Sequence, residues 1–457
     1  MNILLNSASE KIIIRIGVFF DGSGKNGNVF DGTPEEMFRV TNIYRLFKHY
    51  ISQNSEQGGI RTGKVYIEGI GTLNNEPDSI YSLVTGDEEN CGCEGYGPDS
   101  KLKICHERIM SELDRILMSE EASCPKSVSV EFDVFGFSRG AVLARHFINL
   151  VYEKNAVLLD QISSALNKHD HALADEPVIN FLGLFDTVGT FMDSTVFDKD
   201  PHDSGYTRNL YVKVPAGAVR NAFQLNAMHE YRYNFPLHSL YGLYPELTIA
   251  GAHTDVGGSY PDMIDEVKDL TGYTYGLPLY RAATRAEKEL SPLLKRNQWA
   301  FLSKKISYEG SLRFRCKAMS HRRVKGHLQF VALLTMARIA ERCGCIFAPD
   351  IKTYEDMIPC ELLAYYNHVR QRADEALEGK PEGLDPEFVQ KVIPAYVHLS
   401  ASCFTVSELF GEMRQNRQLM MCRGDVQDSQ QKVINISVIN NFWPHRPDTN
   451  WERKVFK

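Results

Sequence analysis

The feature that most restricts what this chain can fold into is Gly136-Phe137-Ser138-Arg139-Gly140 together with its flanks. Ahead of it, Ser127 to Val134 alternates like a strand; behind it, Ala141 to Leu150 reads as a helix. A strand, then G-x-S-x-G, then a helix is the context a nucleophile elbow requires. The turn is sharp and strained, so a side chain at either glycine would collide with the neighbouring strand or helix. Ser138 would sit at the tip with its hydroxyl exposed, and the helix N-terminus behind it favours developing negative charge. The rival reading is an ordinary turn, since serine and glycine are common; the context on both sides favours catalysis.

The rest of the first half supplies the sheet that an elbow needs. Lys11 to Phe20 is almost continuously apolar, as parallel strands covered on both faces tend to be. Gly63 to Gly71, Pro177 to Phe185 and Leu247 to Gly251 read as further strands. A helix is expected from Pro34, capped by Thr33, through Phe47. An amphipathic helix is expected through Ile104, Ile109, Leu113, Ile116 and Leu117, and residues 74–100 read as a surface loop. This rhythm predicts an α/β fold: a mostly parallel sheet with helices on both faces.

In such a sheet the chemistry lies at the carboxyl ends of the strands. Asp186 follows the strand ending at Phe185, and His253 follows the one ending at Gly251, in a glycine-rich loop able to reach back. Ser138, Asp186 and His253 therefore form a set in the order nucleophile, acid, base. Each is needed: the serine hydroxyl is a poor nucleophile until an imidazole takes its proton. The imidazole in turn needs a carboxylate to fix its tautomer. Asp193, Asp198 and Asp255 are rival orienters, although Asp255, two residues from His253, is better suited to bonding backbone N–H groups of that loop.

The loop Asp21 to Asn28 looks at first like a phosphate-binding loop, but that motif needs another Gly before Gly24 and a Ser or Thr after Lys25. Phe19 and Asn26 occupy those positions. The loop fits an oxyanion hole better, with the Arg139 N–H joined by one from Gly22 or Ser23. The Arg139 side chain has two readings, a contact to a substrate phosphate or a salt bridge to a neighbouring loop.

Composition excludes other classes. The net charge is -7 with no Lys/Arg block, which argues against nucleic acid as a partner. Of the ten cysteines, the pairs Cys91/Cys93 and Cys343/Cys345 lack zinc-site spacing, so scattered reduced thiols and neither metal nor cofactor are expected. The opening residues carry no basic region followed by a long apolar one, so no secretory signal is expected and synthesis in the cytoplasm is. The longest apolar run, Leu328 to Ala340, is too short to span a bilayer.

Beyond the elbow, several blocks stand in one order: Phe19-Phe20-Asp21-Gly22-Ser23-Gly24, Thr41-Asn42-Ile43, Gly69-Ile70-Gly71-Thr72, Gly136 to Ala141, Phe185-Asp186-Thr187-Val188-Gly189 and Gly251 to Gly258. In this the chain resembles the type VI secretion phospholipase effectors that carry an α/β-hydrolase domain with G-F-S-R-G. The resemblance implies Ser138 as nucleophile, Asp186 as its acid partner and His253 as base. It implies hydrolysis of membrane phospholipids at an acyl ester, as a phospholipase A1 or A2. It also implies secretion through the type VI system into the target cell's periplasm, a spike protein VgrG as delivery partner and a cognate immunity protein. At Glu68 the family would more often carry Asp, and the last ~190 residues resemble it only loosely.

Two domains are expected, a catalytic one over 1–275 and a mainly helical module over 276–457 that covers the catalytic edge as a lid. Its helices are expected near Leu277–Leu290, Val324–Cys343 and Tyr354–Glu378, with Pro394–Ser400 and Lys432–Ile439 as strands rejoining the sheet. The helix carrying Leu328, Val331, Ala332, Thr335 and Ile339 on one face reads as core rather than membrane-binding. Rival functions are a general carboxylesterase, acyltransferase or peptidase with the same triad, and a non-catalytic secretion adaptor that keeps the fold.

Overall fold

Parallel strands dominate the first half of the structure, a computed structural model. It describes residues 11–403 and 447–457 apart from 30–32, 34–35, 53–59, 90–91, 93, 119–126, 192–201, 203–206, 277–278, 312–314, 381–382 and 449. The strands of this half are β1 (Lys11–Phe20), β2 (Ile60–Ile67), β3 (Ser127–Phe137), β4 (Ala172–Leu173), β5 (Val178–Phe185), β6 (Val219–Ala227), β7 (Leu237–His238) and β8 (Glu246–Ile249). The central sheet runs β2-β1-β3-β5-β6-β8, with the short β4 beside β3, and every pairing in it is parallel. Parallel pairs need crossovers, and those that link β1, β2, β3 and β5 carry α1 (Asn42–His49), α2 (Ile80–Thr85), α3 (Pro98–Met118), α4 (Arg139–Tyr152) and α5 (Ala156–Asn167). A short α6 (His253–Gly257) follows β8.

Both faces of the sheet are covered, which is why its strands read as continuous apolar runs. Phe20, Val134 and Leu182 pack into one core with Ile109 of α3, Phe147 of α4 and Ile162 of α5. Phe19, Phe135 and Phe181 point the other way, toward Ile43 of α1 and the second half of the chain. This is the architecture of an α/β-hydrolase-like fold, with a helical C-terminal region.

That region adds α7 (Leu279–Leu294), α8 (Leu328–Arg342), α9 (Cys360–Leu377) and α10 (Pro386–Tyr396). Helix α8 is buried on nearly all sides and packs against α1 and α6, so it is core. Between the helices lies something the sequence did not announce, an antiparallel sheet of β9 (Met263–Asp269), β10 (Thr274–Tyr275), β11 (Ile306–Ser311) and β12 (Arg315–Lys325). Its strands carry many charges, and one pair, Arg322 with Glu266, is buried inside it. β9 and β10 precede the expected boundary at 275 yet pair with β12 beyond it. The chain ends in β13 (Val455–Phe456), which pairs with β7 of the first half rather than with the central sheet.

Three local expectations need correction. The helix expected from Pro34 gives only a 3-10 turn at Glu36–Phe38; α1 starts later because Thr41 caps it. The Thr41 hydroxyl accepts the Tyr44 N–H and donates to Asp21, which ties the helix start to the loop after β1. β2 stops at Ile67, and Glu68 to Gly71 instead lies along that loop, with Gly24 N–H donating to the Ile70 carbonyl. Pro394 sits inside α10 and no strand forms from it; the strand expected at 432–439 lies outside the described residues.

Candidate active site

The strand order places the site. β1 sends the chain to β2 on one side and then to β3 on the other, so a crevice opens between the loops that follow β1 and β3. Register does the rest. Phe20 of β1 stands opposite Gly136, and Phe137 of β3 opposite Phe185. Ser138 and Asp186, the next residues along, therefore leave adjacent strands at the same level, and the Ser138 N–H donates to the Phe185 carbonyl at 3.1 Å.

Ser138 stands at φ 58° and ψ −126°, a backbone region that costs an L-residue roughly 1–3 kcal/mol. The turn explains the two glycines. A Cβ on Gly140 would lie 2.2 Å from the Asp21 carbonyl oxygen, and one on Gly136 2.5 Å from the Ala141 Cα. The serine hydroxyl does not cap α4. Asp186 is strained too, at φ 43°.

His253 opens α6, and its Nδ1 lies 2.6 Å from Asp186 Oδ2 with both side chains buried. Its ring packs on Phe137, the residue before Ser138, at a centroid distance of 4.6 Å, and on Phe235 at 5.1 Å. Gly22 and Gly257 let the backbone close on the same Phe137 ring, so the loop after β1, the elbow and α6 meet there. Burial pushes the pKa of the His253 imidazole down, and Asp186 opposes this without cancelling it, which favours the neutral ring. Burial disfavours the Asp186 charge, yet Arg453 and His253 outweigh it and hold that carboxyl well below the usual range. The ring N–H this implies on Nδ1 leaves Nε2 as the basic nitrogen.

The loop after β1 is organised by the buried Asp21, which accepts from Thr41, from the Tyr66 hydroxyl at 2.6 Å and from the Gly22 N–H at 2.7 Å. Gly22 is thus already engaged, which removes it from the expected oxyanion donors. The N–H groups of Ser23 and Arg139 have no acceptor among the described residues, and Arg139 is the first residue of a 14-residue helix. The Arg139 guanidinium lies 5.3 Å over the Phe191 ring, and no salt bridge holds it among the described residues.

Two contributors had no signal in the sequence. Arg453 donates from Nη1 to Asp186 Oδ1 at 2.7 Å and from Nη2 to Oδ2 at 2.9 Å, from 267 residues away in the chain. Glu230, fully buried, accepts the His253 N–H at 3.3 Å and pairs with Arg232; burial opposes its charge, but Arg232 outweighs it and holds the carboxyl at about 2. Asp255 does not touch His253's ring. It accepts the Ala252 N–H and binds His398 instead, as a residue that shapes its loop. The rivals Asp193 and Asp198, and the Cys91/Cys93 pair, lie outside the described residues. Cys343 and Cys345 are free thiols, and among the described residues no cluster of three or more metal-ligating side chains occurs. No helix there is long and apolar enough to cross a membrane.

No family model matches the sequence, and no curated protein does. Solved structures do. The Tle1 effector bound to the VgrG spike from the type 6 secretion system superposes with a TM-score of 0.71 at 22% identity, over 98% of this chain and 94% of that one. An uncharacterized protein from Pseudomonas aeruginosa matches at a TM-score of 0.40 and 18% identity, over 84% of this chain and 52% of that one. The first likeness shows that the fold, from the central sheet to the C-terminal end, is shared with Tle1.

Proposed function

We propose that this chain is an antibacterial type VI secretion effector, a phospholipase A that hydrolyses acyl esters of membrane phospholipids with Ser138, Asp186 and His253. The observation that carries the proposal is the strained Ser138 at an elbow whose neighbouring strand end presents the Asp186–His253 pair. Backbone strain of this kind persists where the surrounding structure enforces it, and it clusters at active sites.

The reaction follows from the parts. His253 Nε2 takes the Ser138 proton as Oγ attacks the acyl carbonyl, and Asp186 steadies the imidazolium that forms. The carbonyl oxygen, now an anion, accepts from the Arg139 and Ser23 N–H groups. His253 then returns the proton to the leaving lysophospholipid oxygen, and a water, activated in the same way, releases the fatty acid and frees Ser138. Support for an anionic lipid over a neutral ester comes from Arg139, whose guanidinium has no hydrogen-bond or salt-bridge partner among the described residues. Delivery by VgrG, neutralisation by a cognate immunity protein and action in the target cell's periplasm belong to the same proposal, supported by the likeness to Tle1.

The test is fatty-acid release from phospholipids with distinguishable sn-1 and sn-2 chains, by wild type and by Ser138→Ala. Release that vanishes in the variant is expected, and the chain released assigns A1 or A2. Faster cleavage of water-soluble esters than of lipid would point to a general carboxylesterase. Absence of any release by folded wild type would leave the adaptor reading. For the effector role, periplasmic targeting should be toxic and cytoplasmic expression harmless; equal harmlessness in both would count against it.

A further inference from the structure

The C-terminal end of the chain enters the site. Residues 451–457 lie along the segment that follows β6: the Leu237 N–H donates to the Lys454 carbonyl and the Ser239 N–H to that of Phe456. Trp451, 2% exposed, anchors the turn against Tyr231 at 5.9 Å between ring centroids. Between these anchors Arg453 reaches inward. Its Nε donates to the Phe235 carbonyl at 2.7 Å and its Nη1 also to the Ala227 carbonyl at 3.3 Å, while the two Nη atoms take both Asp186 oxygens. Asp186 Oδ1 accepts the Ala227 N–H as well. Oδ2 faces Arg453 on one side and His253 on the other.

We infer that Arg453 is a positioning residue: its planar fork fixes the Asp186 carboxylate that holds His253, so the site is complete only with the C-terminal strand docked. The inference rests on the hydrolase reading for its kinetic consequence, but the contact itself does not. A fork that donates to both oxygens restrains the carboxylate's rotation, which a lysine's point charge cannot do. The same residue holds the backbone of Phe235, whose ring forms one wall against His253. Arg453 also shares the charge of Asp186, which tempers the pull of that carboxylate on the imidazole proton. The other charged groups facing His253 are Arg232 and Glu230; Asp255, on its own helix, is engaged by His398.

The test follows the His253 imidazole by NMR through a pH titration in wild type, Arg453→Met and Arg453→Lys, with kcat and KM for lipid measured beside it. With the guanidinium gone, Asp186 pulls harder, so His253 should titrate at higher pH in the Met variant and close to wild type in the Lys variant. Loss of the fork should lower kcat by about 100-fold in Met and by less in Lys, with KM little changed, as expected of misplacement near the reacting groups. A purely structural role would lower the melting temperature and leave the titration where it was. Identical His253 titration in wild type and Met, or an undiminished kcat in folded Lys, would overturn the inference. If wild type releases no fatty acid, the hydrolase proposal fails while the titration still decides on Arg453.

Discussion

Among the described residues two His–Asp pairs are buried, and the proposed mechanism uses only one of them. His253 Nδ1 meets Asp186 Oδ2 at 2.6 Å; His398 Nδ1 meets Asp255 Oδ1 at 2.7 Å. Burial is alike, and Asp255 lies only two residues after His253. Their surroundings differ. His253 packs on the ring that precedes a strained serine, and its carboxylate sits at the end of the adjacent strand. His398 is stacked on Tyr260 at 3.6 Å between centroids, and its Nε2 is buried without a partner among the described residues. In the proposed mechanism a carboxylate on an imidazole makes a base only where the far nitrogen can reach a group with a proton to give, the role assigned to Ser138. Elsewhere the same pair is a fastener, here holding the end of α10 to α6 through the His398 N–H as well.

Substitutions can break or sharpen this contrast, the largest effect first. Ser138→Ala or His253→Ala should remove about 10⁶-fold of kcat in a lipid-release assay, because the members of such a set act as one unit. Asp186→Asn should cost about 10⁴-fold in kcat by allowing the wrong imidazole tautomer, and the loss should persist at every pH assayed. His398→Gln should leave kcat/KM within about fivefold, a barrier change of about 1 kcal/mol. In a denaturant titration the same variant should lose about 1–3 kcal/mol, the cost of an unpartnered buried acceptor on Asp255. A loss of activity as deep as that of His253→Ala would erase the distinction between the two pairs.

The smallest effect is on pH dependence. His253 in the folded protein takes its proton below the ordinary ~6.5, so as pH falls through that value the unfolded chain binds the proton first. Stability should therefore decline from ~6.5 down to the folded value, and His253→Gln should flatten that part of the curve. Since the base must be neutral, the acid limb of kcat/KM should also lie below ~6.5. A limb above it would mean that Asp186 dominates over burial.

How much the sequence could show follows the same divide between local and distant. The elbow was legible because strand, turn and helix are contiguous, and β1 and β5 because burial on both faces made them apolar throughout. β6 was not, because Gln224 and Asn226 break its pattern; the Gln224 side chain is buried with its oxygen accepting from Arg145 and Thr187 and its amide donating to the His238 carbonyl and Glu246. The antiparallel sheet hid behind charges that pair across strands, as Lys317 does with Asp269. Asp21 looked like part of a loop and proved to be its organiser, and it is this carboxylate that takes the Gly22 N–H. Arg453 had no signal at all, since nothing local marks a contact made across 267 residues.

The most direct test of the central claim is fluorophosphonate labelling followed by mapping of the modified residue. The probe reports an activated serine whatever the natural ester. Wild type and His398→Gln should label at Ser138, and His253→Ala should not. Labelling of folded His253→Ala at the wild-type rate, or none of wild type, would contradict the account.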